Sequence, residues 1–192
     1  MSNWAPHYLF PKTYADFVQR LRVPCGFLLL VTFALFSQPS PTSLFIGLPV
    51  SLCGLLLRAW AAGHLAKNRD LAVSGPYSYM RNPLYAGTII IAAGIVIAAR
   101  SSILVPIFAA VFLLVYLPAI ELEEQHLRNI FPNYARYAER INRFLPCRKW
   151  QEPGSSFASG LYWKNEEYKA SLGFVLAVAW LVWKCLKTAA SR

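Results

Sequence analysis

The sequence predicts an all-α integral membrane protein with about five transmembrane helices and a polar pocket at its cytoplasmic face. Three observations carry this expectation. The chain is 56% hydrophobic and only 15% charged, against about 25% charged for a typical soluble domain. Its charges cluster, leaving residues 23–36, 44–57, 82–99, 101–120 and 170–183 without any. The cations also fall by side, which gives the spans an orientation. Spans are expected at roughly 22–37, 44–63, 84–99, 102–121 and 170–187, since a bilayer core takes about 20 apolar residues per helix. The first and third are short and need residues from their flanks or a thinner bilayer.

The first 20 residues carry Trp4, Tyr8, Phe10, Tyr14 and Phe17, which suits an amphipathic segment resting on headgroups. They lack the apolar core of a cleavable signal peptide. Residues 38–43, with two prolines, read as a tight external turn. The second span runs into Arg58, Ala61, Ala62, Gly63 and His64. Arg58 is expected to snorkel to phosphate; the other reading puts it on a cavity wall. The small residues allow close helix contact. Residues 64–83 form a polar connector holding Lys67, Arg69 and Arg81. Asn82 and Pro83 read as N-cap and first turn of the third span. Arg100 and two serines make a short external turn before the fourth span, which Pro106 and Pro118 are expected to kink. The fourth span continues as an amphipathic helix with Glu121, Glu123, Glu124, His126 and Arg128, where Glu124 and Arg128 can pair. A second aromatic and basic helix starts at 131–137 and ends at Pro146, and 148–169 reads as a polar connector. His64 and His126 read as structural or solvated.

The loop 38–43 has no cation, whereas 64–83 and 128–169 are rich in them. The positive-inside rule makes those two regions cytoplasmic. The N-terminus falls on the same side, so the C-terminus lies outside. That sits awkwardly with Lys184, Lys187 and Arg192, and the fifth span is expected to lie shallow if it does not cross. The net charge of +10 is thus a membrane signature, not one for nucleic acid. Cys25, Cys53, Cys147 and Cys185 have no metal-type spacing and support neither a zinc site nor a disulfide framework. The chain reads as a single domain, with a core at 44–146 and an extension at 148–192 holding the extra span.

One segment stands apart. Residues 75–87 read Gly-Pro-Tyr-Ser-Tyr-Met-Arg-Asn-Pro-Leu-Tyr-Ala-Gly. They place an arginine, several tyrosines and two tight turns where a membrane helix begins, which is costly unless something polar binds there. Gly75-Pro76-Tyr77, Arg81-Asn82-Pro83-Leu84-Tyr85 and Gly87 resemble the signature of isoprenylcysteine carboxyl methyltransferases, whose superfamily includes phospholipid methyltransferases. Glu123-Glu124, Leu127, Phe131, Tyr134, Tyr137, Arg143-Phe144 and Pro146 resemble the second half of that signature. Asn82 stands where the family often has histidine, and Pro132 where glycine follows the phenylalanine.

The resemblance implies an integral-membrane enzyme that uses S-adenosylmethionine. The cofactor pocket would be formed by the 64–85 connector and the helices after span four. A lipid-like or prenylated substrate would enter from the bilayer; no metal or nucleic acid is expected. Glu123 or Glu124 would bind the cofactor's polar end. Tyr77, Tyr85 and the backbone through Leu71, Val73, Gly75 and Pro76 would line the adenine pocket, with Asn82 beside them. Arg81 would orient the acceptor or the cofactor carboxylate, and Tyr134, Tyr137 and Arg140 would close the pocket. Arg81 and Glu124 are the expected catalytic pair. The acceptor stays open: an isoprenylcysteine carboxylate, a phospholipid amine or a small thiol. An NADPH-dependent enzyme like the sterol reductases, or a membrane scaffold without activity, are the other readings. The compartment expected is a bacterial inner membrane.

Overall fold

A computed structural model describes residues 10–146, 150 and 156–190, with backbone alone at 12, 15, 19, 22 and 23. Trp4, Tyr8, Cys147, Arg148, Lys149 and Arg192, and the side chains of Lys12 and Arg22, lie outside the described residues. Among the described residues eight α-helices follow one another: α1 (Lys12–Phe36), α2 (Pro41–Ala62), α3 (Pro83–Ala99), α4 (Leu104–Val111), α5 (Leu117–Ile130), α6 (Tyr134–Arg140), α7 (Ser159–Lys164) and α8 (Tyr168–Ala190). No strand occurs among the described residues. Among the described residues three helical stretches are long and apolar enough to cross a membrane: α2, the continuous run Leu104–Ile130, and α8. Pro24–Phe36 and Pro83–Ala99 are apolar but shorter. The first gains length from its flank, because α1 begins twelve residues before the apolar run.

Helices α2 and α3 pack through small residues. A side chain added at Gly54 would come within 2.7 Å of the Gly87 carbonyl, and one at Gly47 would run into the backbone of Gly94 and Ala98. Ser43 and Ser51 donate to the carbonyls of Ala98 and Ile91, both at 2.9 Å, so hydroxyls and close backbones hold the pair together. Gly54→Val is expected to cost about 1–3 kcal/mol through overpacking; thermal unfolding in detergent reads the loss, and an unchanged midpoint would refute it.

The turn after α1 is shorter than expected. Ser40 caps α2 reciprocally with Ser43, so the helix starts at Pro41 and only 37–40 are irregular. The fourth span also differs. A wide helical turn, Phe112–Tyr116, separates α4 from α5. Pro118 has no N–H to offer the carbonyl of Leu114 one turn earlier. Tyr14 of α1 supplies the missing donor, its hydroxyl 2.9 Å from that oxygen.

Helix α8 touches both ends of the bundle. Its N-terminal end meets α2 through Glu167 and Arg58. Near its other end Lys184 Nζ donates to the carbonyls of Ala34 and Ser37 at 2.9 and 2.8 Å. Leu181 packs with Phe33, Ala98 and Leu104 at that same end. The helix therefore runs the height of the bundle. Lys184 is no stray outer charge: it satisfies the open carbonyls at the end of α1.

Arg58 likewise turns inward rather than snorkelling. Its guanidinium grips both oxygens of Glu167 and donates to Thr88 Oγ1. Helix α6 ends at Arg140, not Pro146. The chain beyond it is extended and pairs with the 75–87 segment.

Candidate active site

The site is built where two stretches of backbone meet. A tight turn, Gly75–Ser78, follows the connector. Gly75 has φ +56°, and a side chain there would strike the His64 ring at 2.7 Å, so glycine is required twice over. Ser78 Oγ closes the turn on the Gly75 carbonyl at 2.7 Å. The Tyr137 hydroxyl reaches across to donate to the Tyr77 carbonyl at 2.6 Å. Arg81 N–H donates to the Asn142 carbonyl at 2.8 Å and Asn82 N–H to that of Arg143 at 3.0 Å. These bonds bring the two halves of the signature together.

Glu124 locks them. It is 5% exposed. Asn82 Nδ2 donates to its Oε1 at 3.0 Å. Arg143 donates from Nε at 3.2 Å and from Nη2 at 2.8 Å, and Arg81 Nη1 stands 3.5 Å from Oε2. Burial works against the Arg143 charge, but the hydrogen bond and charge of Glu124 outweigh it and raise its pKa. Two expectations change here. Asn82 sits at the N-cap of α3, yet its side chain makes no capping bond; its amide serves Glu124 instead. Glu124 pairs with Arg143 and Arg81 rather than Arg128, whose guanidinium lies 5.4 Å from the Tyr134 ring centre.

Glu123 faces the other way. It is exposed, and the Tyr85 hydroxyl donates to it at 3.0 Å. Both line a cavity of about 150 Å³. Leu71, Tyr77, Arg81, Asn82, Tyr134 and Tyr137 line it too. Glu124, Val73, Gly75, Pro76 and Arg140 do not. Val73 packs on the Tyr134–Tyr137–Ile141–Trp150 cluster. Pro76 is fully buried, and Arg140 stacks over Trp150 with 5.7 Å to the ring centre. These five support the walls from behind.

The sequence reading missed Lys67, Asp70, His126 and Phe131, which also line the cavity. A signal existed for one of them. Glu123, His126 and Leu127 are spaced for a single helix face, so choosing Glu123 entails His126. Lys67 was legible only as a topology charge and Asp70 only as a polar residue of the connector.

Burial pushes the Tyr77 phenol well above its ordinary range, with the charge of Glu123 adding to it. Burial, then Glu124, pushes Tyr134 up to about 12. Both phenols stay neutral in ordinary buffers. The Tyr134 contribution to stability is full below its ordinary value near 10 and is lost as pH rises through about 12. Ultraviolet difference titration should show this tyrosine ionising late and together with unfolding; early, reversible ionisation would contradict its burial. Arg81 Nε is buried with no hydrogen-bond partner among the described residues. A buried orphan donor of that kind asks for a ligand acceptor.

Helices of membrane length with a polar cavity at one end define an integral-membrane protein with a candidate catalytic site. Residues 55–134 match the profile of a family described as phospholipid methyltransferase. That match is consistent with the isoprenylcysteine/phospholipid methyltransferase superfamily, which the sequence resembles, and it points to a membrane methyltransferase. The chain is 33% identical over 109 residues to the cobalt-zinc-cadmium resistance protein CzcN of Cupriavidus metallidurans, covering 56% of this chain and 50% of that protein. It is 34% identical over 91 residues to the nickel-cobalt-cadmium resistance protein NccN of Alcaligenes xylosoxydans xylosoxydans, covering 46% and 43%. The chain thus matches about half the length, or less, of these curated relatives. No solved structure matches it.

Proposed function

We propose that this chain is an S-adenosylmethionine-dependent methyltransferase acting on a lipid-like acceptor, such as an isoprenylcysteine carboxylate or a phospholipid amine. One observation carries the reading. The Glu124 clasp aims Arg81, with its orphaned Nε, and Glu123 into one cavity with the aromatic faces of Tyr77, Phe131 and Tyr134. This donor set fits the cofactor. Arg81 suits its carboxylate through charge-assisted hydrogen bonds. Glu123 and Asp70 suit its ammonium and ribose hydroxyls. The aromatic rings suit adenine and sulfonium. When bound, the cofactor supplies an electrophilic methyl group. The protein's own task is to orient the acceptor and exclude water. For an acceptor that loses a proton, Glu123 is the group placed to take it. The whole chain works as one domain, its core at 44–146, in a bacterial inner membrane with the cavity facing the cytoplasm.

Calorimetry with S-adenosylmethionine and its demethylated product, S-adenosylhomocysteine, tests this, with NADPH as control. Saturable binding of both adenosyl ligands is expected. Arg81→Ala should weaken it about ten- to a hundredfold, the worth of a hydrogen bond between charged groups, and should abolish turnover while the protein stays folded. Wild-type protein that binds neither adenosyl ligand would overturn the reading, and binding of NADPH alone would replace it with a reductase.

A further inference from the structure

A second cavity, of about 660 Å³, lies beside the first. The two share Leu65, Lys67, Leu84, Tyr85, Glu123 and His126. The Tyr85–Glu123 hydrogen bond therefore stands at their junction. Part of the second cavity's lining comes from beyond the family-matched segment: Asn165 and Glu167, with Asp16 of α1.

The stretch 157–167 is strapped onto the end of α2. Ala158 N–H donates to the Gly63 carbonyl at 2.9 Å. The Phe157 ring covers Gly63, where any side chain would collide with it. Asn165 Nδ2 donates to the carbonyls of Ala62 and Leu65 at 3.0 and 2.8 Å, closing the open end of the helix. The chain then passes through Glu166 at φ +56° and sends Glu167 inward. Glu167 is 5% exposed and is held bidentately by Arg58. The other edge of Arg58 reaches Thr88 and the Leu84 carbonyl on α3.

A buried ion pair is a costly way to fasten a loop, since apolar residues of similar size often serve as well. Here the pair also lines a cavity that joins the first one. Asp16, Glu123 and Glu167 outnumber Arg58 and Lys67 on that wall, and Leu84, Ala119 and Leu122 are its apolar part.

We propose that the strap 157–167 is the acceptor-selecting wall of the enzyme. The second cavity holds the acceptor's head, and Glu167, positioned by Arg58, selects heads that donate hydrogen bonds over anionic ones. This rests on the methyltransferase reading for the cavity's partner, while the strap's selectivity can be read without turnover. The core shared with the family carries the cofactor chemistry, and the extension sets what is methylated.

The test uses the full chain in lipid nanodiscs, loaded with S-adenosylhomocysteine. The probes are dodecylammonium and dodecanoate, which share a tail and differ in the head. Calorimetry corrected against empty nanodiscs reads both. Wild type is expected to prefer dodecylammonium about tenfold or more, because like charges placed together are penalised. Glu167→Gln should narrow that preference to about threefold or less, with S-adenosylhomocysteine affinity held within about twofold. Equal binding of the two probes to wild type overturns the proposal. So does a preference that survives in folded Glu167→Gln protein. Should that variant fail to fold, Asn165→Ala decides: it keeps every charge but loosens the strap. Dodecylammonium affinity should then fall about fivefold or more, and unchanged affinity overturns the proposal. Absence of S-adenosylhomocysteine binding in wild type would strike the methyltransferase reading instead, and the two probes would still test the wall in the unloaded protein.

Discussion

Glu124→Ala is expected to destabilise the protein by roughly 3–5 kcal/mol, the cost of stripping a buried charge cluster of its counterion. The carboxylate receives Asn82, Arg143 and Arg81. Its removal leaves two guanidinium groups facing each other, with side chains only 13% and 27% exposed. It also unlinks the 75–87 segment from the stretch after α6, because the backbone pairs at 81–82 and 142–143 lie directly beside it. For a chain of this size the thermal midpoint should fall by roughly 10 °C or more. Glu124→Gln keeps shape and one acceptor oxygen, so it should lose about 1–3 kcal/mol. Thermal unfolding in detergent, followed by tryptophan fluorescence, separates the two variants. A Glu124→Ala protein as stable as wild type would mean that the clasp does not organise the site. Loss of cofactor binding in this variant therefore does not by itself mark Glu124 as a ligand contact.

Much of this fold follows from local physics that a sequence displays. Apolar runs without charge must become helices in a bilayer, and α2, α3 and the run through α4 and α5 lie close to where the runs place them. Ser40 and the proline at the start of α3 mark their helix ends in the usual way. What the sequence hides is pairing across distance. Arg58 and Glu167 are 109 residues apart, and nothing near Arg58 distinguishes a guanidinium that snorkels from one that finds a buried carboxylate. Lys184 looked misplaced by the positive-inside rule because its partners are backbone carbonyls, which carry no residue signature. The fourth span illustrates the same limit. Pro118 announces a lost hydrogen bond, but only the fold brings Tyr14 to the orphaned carbonyl.

The lining of the cavity was legible more than the partners of each side chain. Tyr77, Arg81, Tyr85, Glu123, Tyr134 and Tyr137 do converge on one cavity. The adjacent glutamates were interchangeable on paper. A helix separates neighbours by about 100°, so only one of two consecutive residues can face a given cavity, and packing decides which. Asn82, Arg143 and Arg81 claim Glu124, and this leaves Glu123 facing the cavity. Val73 and Arg140 fell in the right region but on the supporting side, because the connector and α6 are too short for a periodicity to reveal their inner faces.

That division of labour makes Glu123→Gln the sharpest test of chemistry. Glu123 is exposed and, among the described residues, its side-chain bond is from Tyr85, so the substitution should leave the thermal midpoint within about 1 °C, as surface changes away from special features usually do. S-adenosylhomocysteine affinity should drop only a few-fold, since Arg81 and the aromatic faces remain. Transfer to an amine or thiol acceptor should fall about 10²- to 10⁴-fold, the usual worth of a positioned general base. The residual rate should rise with pH as the acceptor sheds its own proton. A carboxylate acceptor arrives already ionised, so its rate should change little. Tyr85→Phe should give an intermediate loss, because it frees Glu123 to reorient without removing the base. Single-turnover rates with a radiolabelled methyl group, measured across pH for one acceptor of each kind, distinguish these outcomes. A full rate with every acceptor would remove Glu123 from the chemistry; a loss confined to proton-bearing acceptors would assign it the base and, with it, the reaction class.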